Sequence, residues 1–255
     1  MAVKPTASAR VIERMDLTGD LMILKLEPSA PFSFKPGQYC TIGLDGTERP
    51  YSIVSAPHEQ FLDLFIKLVP KELQTERSLT PRLWKLKAGD AVDLRPRAKG
   101  LFVLEECCDT QVMIATVTGI APFISMCRAR LAGYYKREWV RRWHIFQGAS
   151  YQDEFGYFQE LSTYMEEGIA TYMPTVSRPQ AERNNGWRRK TGRVNNIAEE
   201  ELRLTFAIVP DKSTICYLCG NQGMVDDLGN KKPKDDKPLG KLVTKGFRVK
   251  EEVFF

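Results

Sequence analysis

The chain has 255 residues, of which 43% are hydrophobic and 27% are charged, and its net charge is +5. This balance excludes a disordered or collagen-like chain and leaves room for one large domain or two of ordinary size. No run approaches the roughly 20 apolar residues of a membrane helix, and residues 1–10 lack the apolar core of a secretory signal. We therefore expect a cytoplasmic protein that does not enter a membrane.

The first hundred residues alternate short β-type runs with Pro-Gly, Asp-Gly and Gly-Asp turns. The predicted strands lie at 21–26, 38–42, 51–54, 61–69 and 91–94. Short strands at regular spacing, separated by such turns, predict a barrel or a sandwich.

From residue 111 onward, strand-like and helix-like segments alternate. The predicted strands are 111–117, 143–146, 170–176 and 215–220, and the predicted helices are 123–131 and 155–165. This alternation predicts a parallel, doubly wound sheet. The pattern changes within 104–109, which predicts two domains, 1–106 and 107–255.

The six cysteines give no sign of a disulfide framework or of an iron–sulfur cluster. Cys216-x-x-Cys219 has the form of half a metal or redox motif, but it lies in a predicted strand, where positions three apart point to opposite faces. We favour a structural role for this pair. With only two histidines in the chain, we expect no metal, and any redox centre should be organic.

The motif Arg49-Pro50-Tyr51-Ser52 lies in the β half. An arginine offers a planar fork that suits a pyrophosphate, and a tyrosine offers a flat face for stacking. Proline is confined to edges or irregular places in a sheet, so Pro50 predicts such a place. The alternative is an exposed arginine beside a core tyrosine.

Two turns follow predicted parallel strands. Thr118-Gly119-Ile120-Ala121-Pro122 joins a strand to a helix, and such a junction at the carboxyl end of a strand suits a phosphate. Cys219-Gly220-Asn221 follows the last predicted strand, where a glycine allows close approach of a ligand or of another backbone segment. The alternative for the first turn is an ordinary strand-to-helix turn, and the alternative for Cys219 is a small buried hydrophobic residue.

Three arginine- or aromatic-rich segments remain. Ser177-Arg178 and Thr191-Gly192-Arg193 offer two guanidinium groups and a hydroxyl for a monophosphate, although a solvated basic loop is the alternative. The chain ends in Phe254-Phe255, which we expect either to pack into the core or to cover a flat ligand.

The order of these motifs, together with Ser78-Leu79-Thr80-Pro81-Arg82-Leu83, resembles the ferredoxin–NADP reductase family, and specifically its bacterial ferredoxin/flavodoxin reductases. The resemblance implies an antiparallel FAD-binding β-barrel at 1–106, followed by a doubly wound NADP-binding α/β domain at 107–255. It further implies an FAD flavoenzyme that transfers electrons between NADP(H) and ferredoxin or flavodoxin.

The resemblance also implies roles for individual residues. Arg49 pairs with the FAD pyrophosphate, Tyr51 stacks on the isoalloxazine, and Ser52 hydrogen-bonds near flavin N5. The other residues implied to contact FAD are Pro50, Phe65, Ile66, Lys67, Leu68, Ser78, Leu79, Thr80 and Thr118. The NADP 2′-phosphate is implied to bind Ser177, Arg178 and Arg193, while Gly220 and Asn221 would contact cofactor and Cys219 would lie beside the nicotinamide. Phe254 is implied to cover the flavin, and Phe255 to contact the FAD adenine. Ser52, Cys219 and Phe254 are the implied catalytic residues.

This chain departs from the family at three places. Val117 stands where the family usually has glycine, and Ser150 stands where close bacterial relatives have arginine. The stretch between Arg178 and Arg193 is longer than usual. Two other functions stay open: an oxygenase reductase or flavin reductase of the same superfamily, and a non-enzymatic, basic nucleic-acid-binding protein.

Overall fold

The structure, a computed structural model, describes residues 7–135, 142–229 and 238–253. The contacts among them define two compact units. The first, which we call the β unit, comprises 7–104 and 121–132. The second, the α/β unit, comprises the described residues of 105–120 and 133–255.

The β unit is built on an antiparallel six-stranded sheet. Its strands are β1 (Ala7–Thr18), β2 (Leu21–Pro28), β3 (Tyr39–Leu44), β4 (Thr47–Ser52), β5 (Leu62–Lys67) and β6 (Ala91–Leu94). They lie in the order β4-β3-β6-β1-β2-β5. An antiparallel bridge between Ile53 and Leu64 connects the two ends of the sheet, which gives it a barrel-like form. The predicted antiparallel barrel is confirmed.

Alternating apolar side chains fill the inside of this sheet. In β2, for example, Leu24 and Leu26 are fully buried, whereas Lys25 between them is half-buried. This period of two is what a strand with one face on a core requires. Two α-helices belong to the β unit, α1 (Thr80–Leu83) and α2 (Ala121–Leu131).

The α/β unit has a parallel six-stranded sheet. Its strands are β7 (Thr110–Thr116), β8 (Arg142–Ala149), β9 (Thr171–Val176), β10 (Lys190–Thr191), β11 (Thr214–Gly220) and β12 (Arg248–Val253). The order is β10-β9-β8-β7-β11-β12. The chain adds strands on one side of β7 and then returns to add β11 and β12 on the other side. The predicted doubly wound sheet is confirmed, with its switch point between β7 and β11.

Helices connect these strands. They are α3 (Phe158–Glu166), α4 (Val194–Leu204), α5 (Gln222–Leu228) and α6 (Lys241–Thr244). Apolar residues of α4 and α5 pack on buried residues of β7, β8 and β11 to form one core. None of the helices in the described segments is long and apolar enough to cross a membrane.

Candidate functional site

Hydrogen bonds bring three separate segments of the β unit together. Arg49 on β4 donates from Nη2 to the carbonyl oxygen of Arg77 at 3.1 Å, which connects β4 to the segment 77–80. The backbone N–H of Val69, just after β5, donates to Thr80 Oγ1 at 3.1 Å. Segments 49–52, 65–69 and 77–80 are therefore neighbours in the β unit, although sequence order alone does not require it.

Arg49 carries a positive charge with no counter-charge among the described residues. The residue is exposed, and its guanidinium donates only to backbone carbonyl oxygens, those of Glu48 at 2.7 Å and Arg77 at 3.1 Å. These bonds fix the position of the fork without neutralising it. The donor set therefore fits an anionic group such as a pyrophosphate.

Tyr51 and Ser52 differ in their exposure. Tyr51 is half-buried and packs on the core of the β unit, and burial raises the pKa of its phenol far above the usual value, so the ring is neutral. Ser52 is only 5% exposed. A tyrosine ring anchored on one side by a core is suited to stack on a flat ligand. Their neighbour Pro50 is exposed on β4, which is an edge strand.

Neighbouring residues of β5 in segment 65–68 point to opposite faces of the sheet, and Ile66 packs in the core of the β unit. Phe65 and Ile66 are buried, Lys67 is exposed, and the backbone N–H of Leu68 donates to the carbonyl oxygen of Asp20 at 2.8 Å. Since the Ile66 side chain lies in the core of the β unit, its backbone is the part of it that a ligand can contact.

The hydroxyls of segment 78–80 are used to fold the loop. Ser78 Oγ accepts from the backbone N–H of Thr75 at 2.9 Å, and Thr80 Oγ1 accepts from Val69. Leu79 is buried directly before α1. Sequence reasoning gave no role to Arg82, which donates to Leu44 O and Thr47 Oγ1 and so connects α1 to the β3–β4 turn.

In the α/β unit, the carboxyl ends of β7 and β11 lie against each other. A Cβ on Gly119 would be 2.1 Å from the carbonyl oxygen of Cys219, so only glycine fits there. Gly220 has a φ of +132°, and the backbone N–H of Asn221 donates to Thr116 Oγ1 at 2.7 Å. Crevices at such a switch point are where doubly wound sheets bind ligands.

Val117 begins the turn after β7 in a left-handed conformation. Its φ is +42°, which is rare and strained for a β-branched residue. Its side chain packs against Ala149, Phe155 and Val176. A glycine would adopt this conformation without strain. Thr118 follows, half-buried, in a short 3-10 helix, Val117–Ile120.

Cys219 and Asn221 at the end of β11 are firmly held. Cys219 is fully buried, and burial together with the nearby charge of Glu252 raises the pKa of its thiol well above the usual value. The thiol is therefore neutral. Asn221 Oδ1 accepts from the backbone N–H of Gly223 at 2.9 Å and caps α5. Cys216 is buried as well, and neither cysteine is in a disulfide.

The two predicted phosphate segments are neighbours at the end of β9. The backbone N–H of Gly192 donates to the carbonyl oxygen of Val176 at 2.8 Å, which places 191–193 beside 176–178. Ser177, Arg178 and Arg193 are all exposed. This edge of the sheet therefore presents two arginines and a hydroxyl from segments that are 15 residues apart in the chain.

Tyr151 is a residue of this edge that sequence reasoning did not select. Arg178 Nη1 donates to its hydroxyl at 2.7 Å, and the guanidinium of Arg183 lies 3.9 Å from the centre of its ring. Arg183 is also paired with Asp153 through two hydrogen bonds of 3.0 and 2.7 Å. The tyrosine thus orients Arg178 and helps to hold the loop that follows β9.

Some predicted residues lie outside the described part of the chain. Phe254 and Phe255 are among them, so their implied contacts with flavin stay predictions.

In helix α2, Arg128 forms ion pairs with Glu59 at 3.3 Å and Asp63 at 3.6 Å. Its charge is therefore compensated within the β unit.

Comparison with known proteins identifies the class to which the chain belongs. Residues 113–229 match the family model of the oxidoreductase NAD-binding domain. The flavodoxin/ferredoxin–NADP reductase of Escherichia coli (strain K12) is 34% identical over 211 residues, which cover 78% of this chain and 78% of that protein.

Solved structures share the fold. The ferredoxin NADP+ reductase of Neisseria gonorrhoeae with bound FAD and NADP has a TM-score of 0.77 at 20% identity and covers 99% of this chain and 100% of that one. The ferredoxin reductase in carbazole 1,9a-dioxygenase has a TM-score of 0.75 at 20% identity and covers 98% of this chain and 70% of that one.

The chain thus carries an oxidoreductase-type NAD-binding fold. It belongs to the flavodoxin/ferredoxin–NADP reductase family. The resemblance seen in the order of the sequence motifs is confirmed.

Proposed function

We propose that the chain is an FAD-dependent oxidoreductase that transfers electrons between NADP(H) and ferredoxin or flavodoxin. The observation that carries this proposal is the meeting of segments 49–52, 65–69 and 77–80 around the uncompensated charge of Arg49 in a chain of this family. The family assignment also supports an enzyme over a nucleic-acid-binding protein.

The β unit would hold FAD. Arg49 would bind the pyrophosphate, and the half-buried ring of Tyr51, together with Pro50 and Ser52, would contact the flavin. The other contacts would come from the backbone of Phe65, Ile66, Lys67 and Leu68, from Ser78, Leu79 and Thr80 at the phosphates, and from Thr118, Phe254 and Phe255. When bound, a flavin accepts a hydride at N5 and releases single electrons, so it can couple a two-electron donor to a one-electron acceptor.

The α/β unit would hold NADP(H). Ser177, Arg178 and Arg193 would bind the 2′-phosphate at the carboxyl end of β9, and Gly220 and Asn221 would contact the nucleotide at the end of β11. Because the Cys219 thiol is neutral, we assign it a positioning role beside the nicotinamide rather than that of a nucleophile. Hydride transfer needs the reacting atoms at about 3 to 3.5 Å, and positioning is the main task of the protein.

We also propose that the protein works in the cytoplasm. All six cysteines are free, which suits a reducing compartment. A small acidic electron carrier such as ferredoxin or flavodoxin would be favoured by the net charge of +5.

An electron-transfer assay tests this function. The purified protein is mixed with NADPH and with ferredoxin or flavodoxin in turn, and reduction of the carrier is followed by absorbance. We expect the carrier to be reduced only when both NADPH and the protein are present. Efficient reduction of free flavin alone would instead identify a flavin reductase, and a colourless protein with steeply salt-dependent affinity for nucleic acid would refute the proposal.

A further inference from the structure

Two adjacent cysteines stand in the turn before β7, and they differ in their access to solvent. Cys107 is exposed, whereas Cys108 and the other four cysteines are buried. The Sγ atoms of Cys107 and Cys108 are 4.0 Å apart, so the two sulfur atoms are in contact. We call these two residues the Cys107–Cys108 pair. A reagent in solution reaches one thiol of the pair directly and finds a second thiol beside it.

The turn that carries the pair is held on both sides. The backbone N–H of Glu105 donates to the hydroxyl of Tyr217 at 2.7 Å, and the backbone N–H of Cys108 donates to the carbonyl oxygen of Glu105 at 3.1 Å. Gln111, which is fully buried, donates from Nε2 to the carbonyl oxygens of Glu105 at 3.0 Å and Cys108 at 2.5 Å. These bonds fix the backbone of the turn, so the fold itself holds the two thiols together.

Charged groups lie against both sulfur atoms. Arg248, the first residue of β12, donates from Nη1 to Cys108 Sγ at 3.1 Å, and Cys107 Sγ donates to Glu105 Oε2 at 3.9 Å. Burial raises the pKa of the Cys108 thiol to about 11, and the charge of Arg248 opposes that shift. Cys108 is therefore a protonated thiol at neutral pH, and Arg248 is placed to stabilise negative charge on its sulfur when the proton leaves.

The pair lies at the opposite end of the parallel sheet from the candidate nucleotide crevice. It directly precedes β7, whereas the crevice lies at the carboxyl ends of β7 and β11. A strand of the length of β7 spans about 20 Å. We therefore give the pair no part in binding the nucleotide, and its chemistry is a separate property of the chain.

We propose that the Cys107–Cys108 pair is a reversible oxidation site, at which a hydroperoxide converts the two thiols into a disulfide. The Cys107 sulfur attacks the outer oxygen of the hydroperoxide, the O–O bond breaks, and the thiol proton leaves with the alcohol. The Cys108 sulfur then attacks the sulfur of the Cys107 sulfenic acid, the S–O bond breaks, and water leaves. The two thiols lose two electrons, which reduce the hydroperoxide to an alcohol and water.

A disulfide between neighbouring residues is also easily reduced again. Consecutive Cα atoms lie about 3.8 Å apart across a trans peptide, whereas disulfides usually span about 4.4 to 6.8 Å between Cα atoms. The bond would therefore be strained, and strained disulfides are the ones that small thiols reopen. Such a site suits a reducing compartment, where disulfides are transient.

Counting thiols after peroxide treatment tests this on the full-length protein. The protein is exposed to hydrogen peroxide, freed of excess, denatured and alkylated with iodoacetamide, and its peptides are identified by mass spectrometry. We expect two of the six thiols to be lost, with Cys107 and Cys108 in one peptide that has lost two hydrogen atoms. Dithiothreitol should restore both thiols.

Three variants locate the chemistry. Cys107→Ser should leave Cys108 unoxidised, because the buried thiol does not meet the peroxide by itself. Cys108→Ser should stop at the sulfenic acid of Cys107, which dimedone traps. Cys40→Ala, which removes a thiol buried in the core of the β unit, is the matched control and should form the disulfide as the wild type does.

Several results would overturn the proposal. Oxidation of Cys107 to the sulfinic or sulfonic acid with Cys108 still free would show that the second thiol does not close the disulfide. A disulfide between two protein molecules, or six intact thiols after treatment, would equally refute it. None of these measurements requires flavin or NADP(H), so their failure would leave the proposed function intact.

Discussion

The two units of the molecule assemble their candidate sites in different ways. In the β unit, segments that lie apart in the sequence are joined by particular side chains, such as Arg49 reaching the carbonyl oxygen of Arg77 and Thr80 accepting from Val69. In the α/β unit, the order of the strands itself brings the turns after β7 and β11 together, backbone against backbone at Gly119. The comparison teaches that the first site depends on polar side chains and the second on the absence of a side chain.

Gly119→Ala should produce the largest loss of stability, because the turns after β7 and β11 meet backbone against backbone at this residue. The new Cβ would lie 2.1 Å from the carbonyl oxygen of Cys219, so the backbone must shift. We expect a loss of about 3 kcal/mol in the free energy of unfolding, measured by denaturant titration. Gly19→Ala is the control, because nothing lies within 4 Å of its added Cβ. Equal stabilities of the two variants would refute the close approach.

Acid should weaken the α/β unit through His144 on β8. Burial, and then the charge of Arg142, lowers the pKa of His144 to about 4, and Nε2 has no hydrogen-bond partner among the described residues. Between pH 6.5 and 4 the unfolded chain therefore binds more protons than the folded one, and the free energy of unfolding falls as the pH falls. Integration gives a loss of about 2 to 3 kcal/mol.

His144→Gln isolates this effect. The variant cannot titrate in that range, so its free energy of unfolding should depend less steeply on pH than that of the wild type, as measured by urea titrations at several pH values. Parallel curves for the two proteins would show that His144 is already accessible to protons in the folded state.

Arg49→Gln should weaken the flavin site of the β unit and leave its fold intact. Because the guanidinium would be the charged ligand of the pyrophosphate, we expect the Kd for FAD to rise by about tenfold to a hundredfold, as measured by fluorescence titration of flavin. Arg10→Gln is the control, since Arg10 is an exposed residue on β1 that is paired with Glu27. Retention of wild-type FAD affinity by Arg49→Gln would remove Arg49 from the site.

The smallest effect is expected at Val117. With φ at +42°, glycine should be tolerated better than alanine, although alanine is the more stabilising residue at ordinary positions. We expect Val117→Gly to unfold with a free energy about 1 kcal/mol higher than Val117→Ala, measured by thermal or denaturant unfolding. The opposite order would mean that the turn does not hold the left-handed conformation.

The sequence predicted the two kinds of sheet well because hydrophobic patterning determines them. The largely apolar strand predicted at 111–117 is β7 (Thr110–Thr116), and the predicted strand 91–94 is β6 (Ala91–Leu94). The prediction placed β4 too late, at 51–54, because the first residues of this strand are polar and include Pro50. In the structure β4 begins at Thr47, which pairs with Leu44 across the hairpin turn.

Strands rich in charge were missed. β1 (Ala7–Thr18) and β12 (Arg248–Val253) carry charged residues between their buried positions, so they show no continuous apolar run. Their place is fixed by pairing with β2, β6 and β11, which a single sequence does not display. The helix α2 was predicted within the second domain, 107–255, and it groups by its contacts with the β unit.

The candidate sites were predicted only as segments. Composition and spacing singled out Arg49, Tyr51 and Arg178, but they could not indicate which arginines are neutralised. The pairing of Arg183 with Asp153 and of Lys190 with Glu201 depends on how the loop folds back on itself.

Uptake and reduction of flavin test the central claim most directly. The purified protein is supplied with FAD, freed of excess, and examined by visible absorbance before and after NADPH is added without oxygen. The account predicts that the protein retains FAD and that NADPH bleaches the flavin absorbance. A well-folded protein that neither carries nor takes up FAD would contradict it.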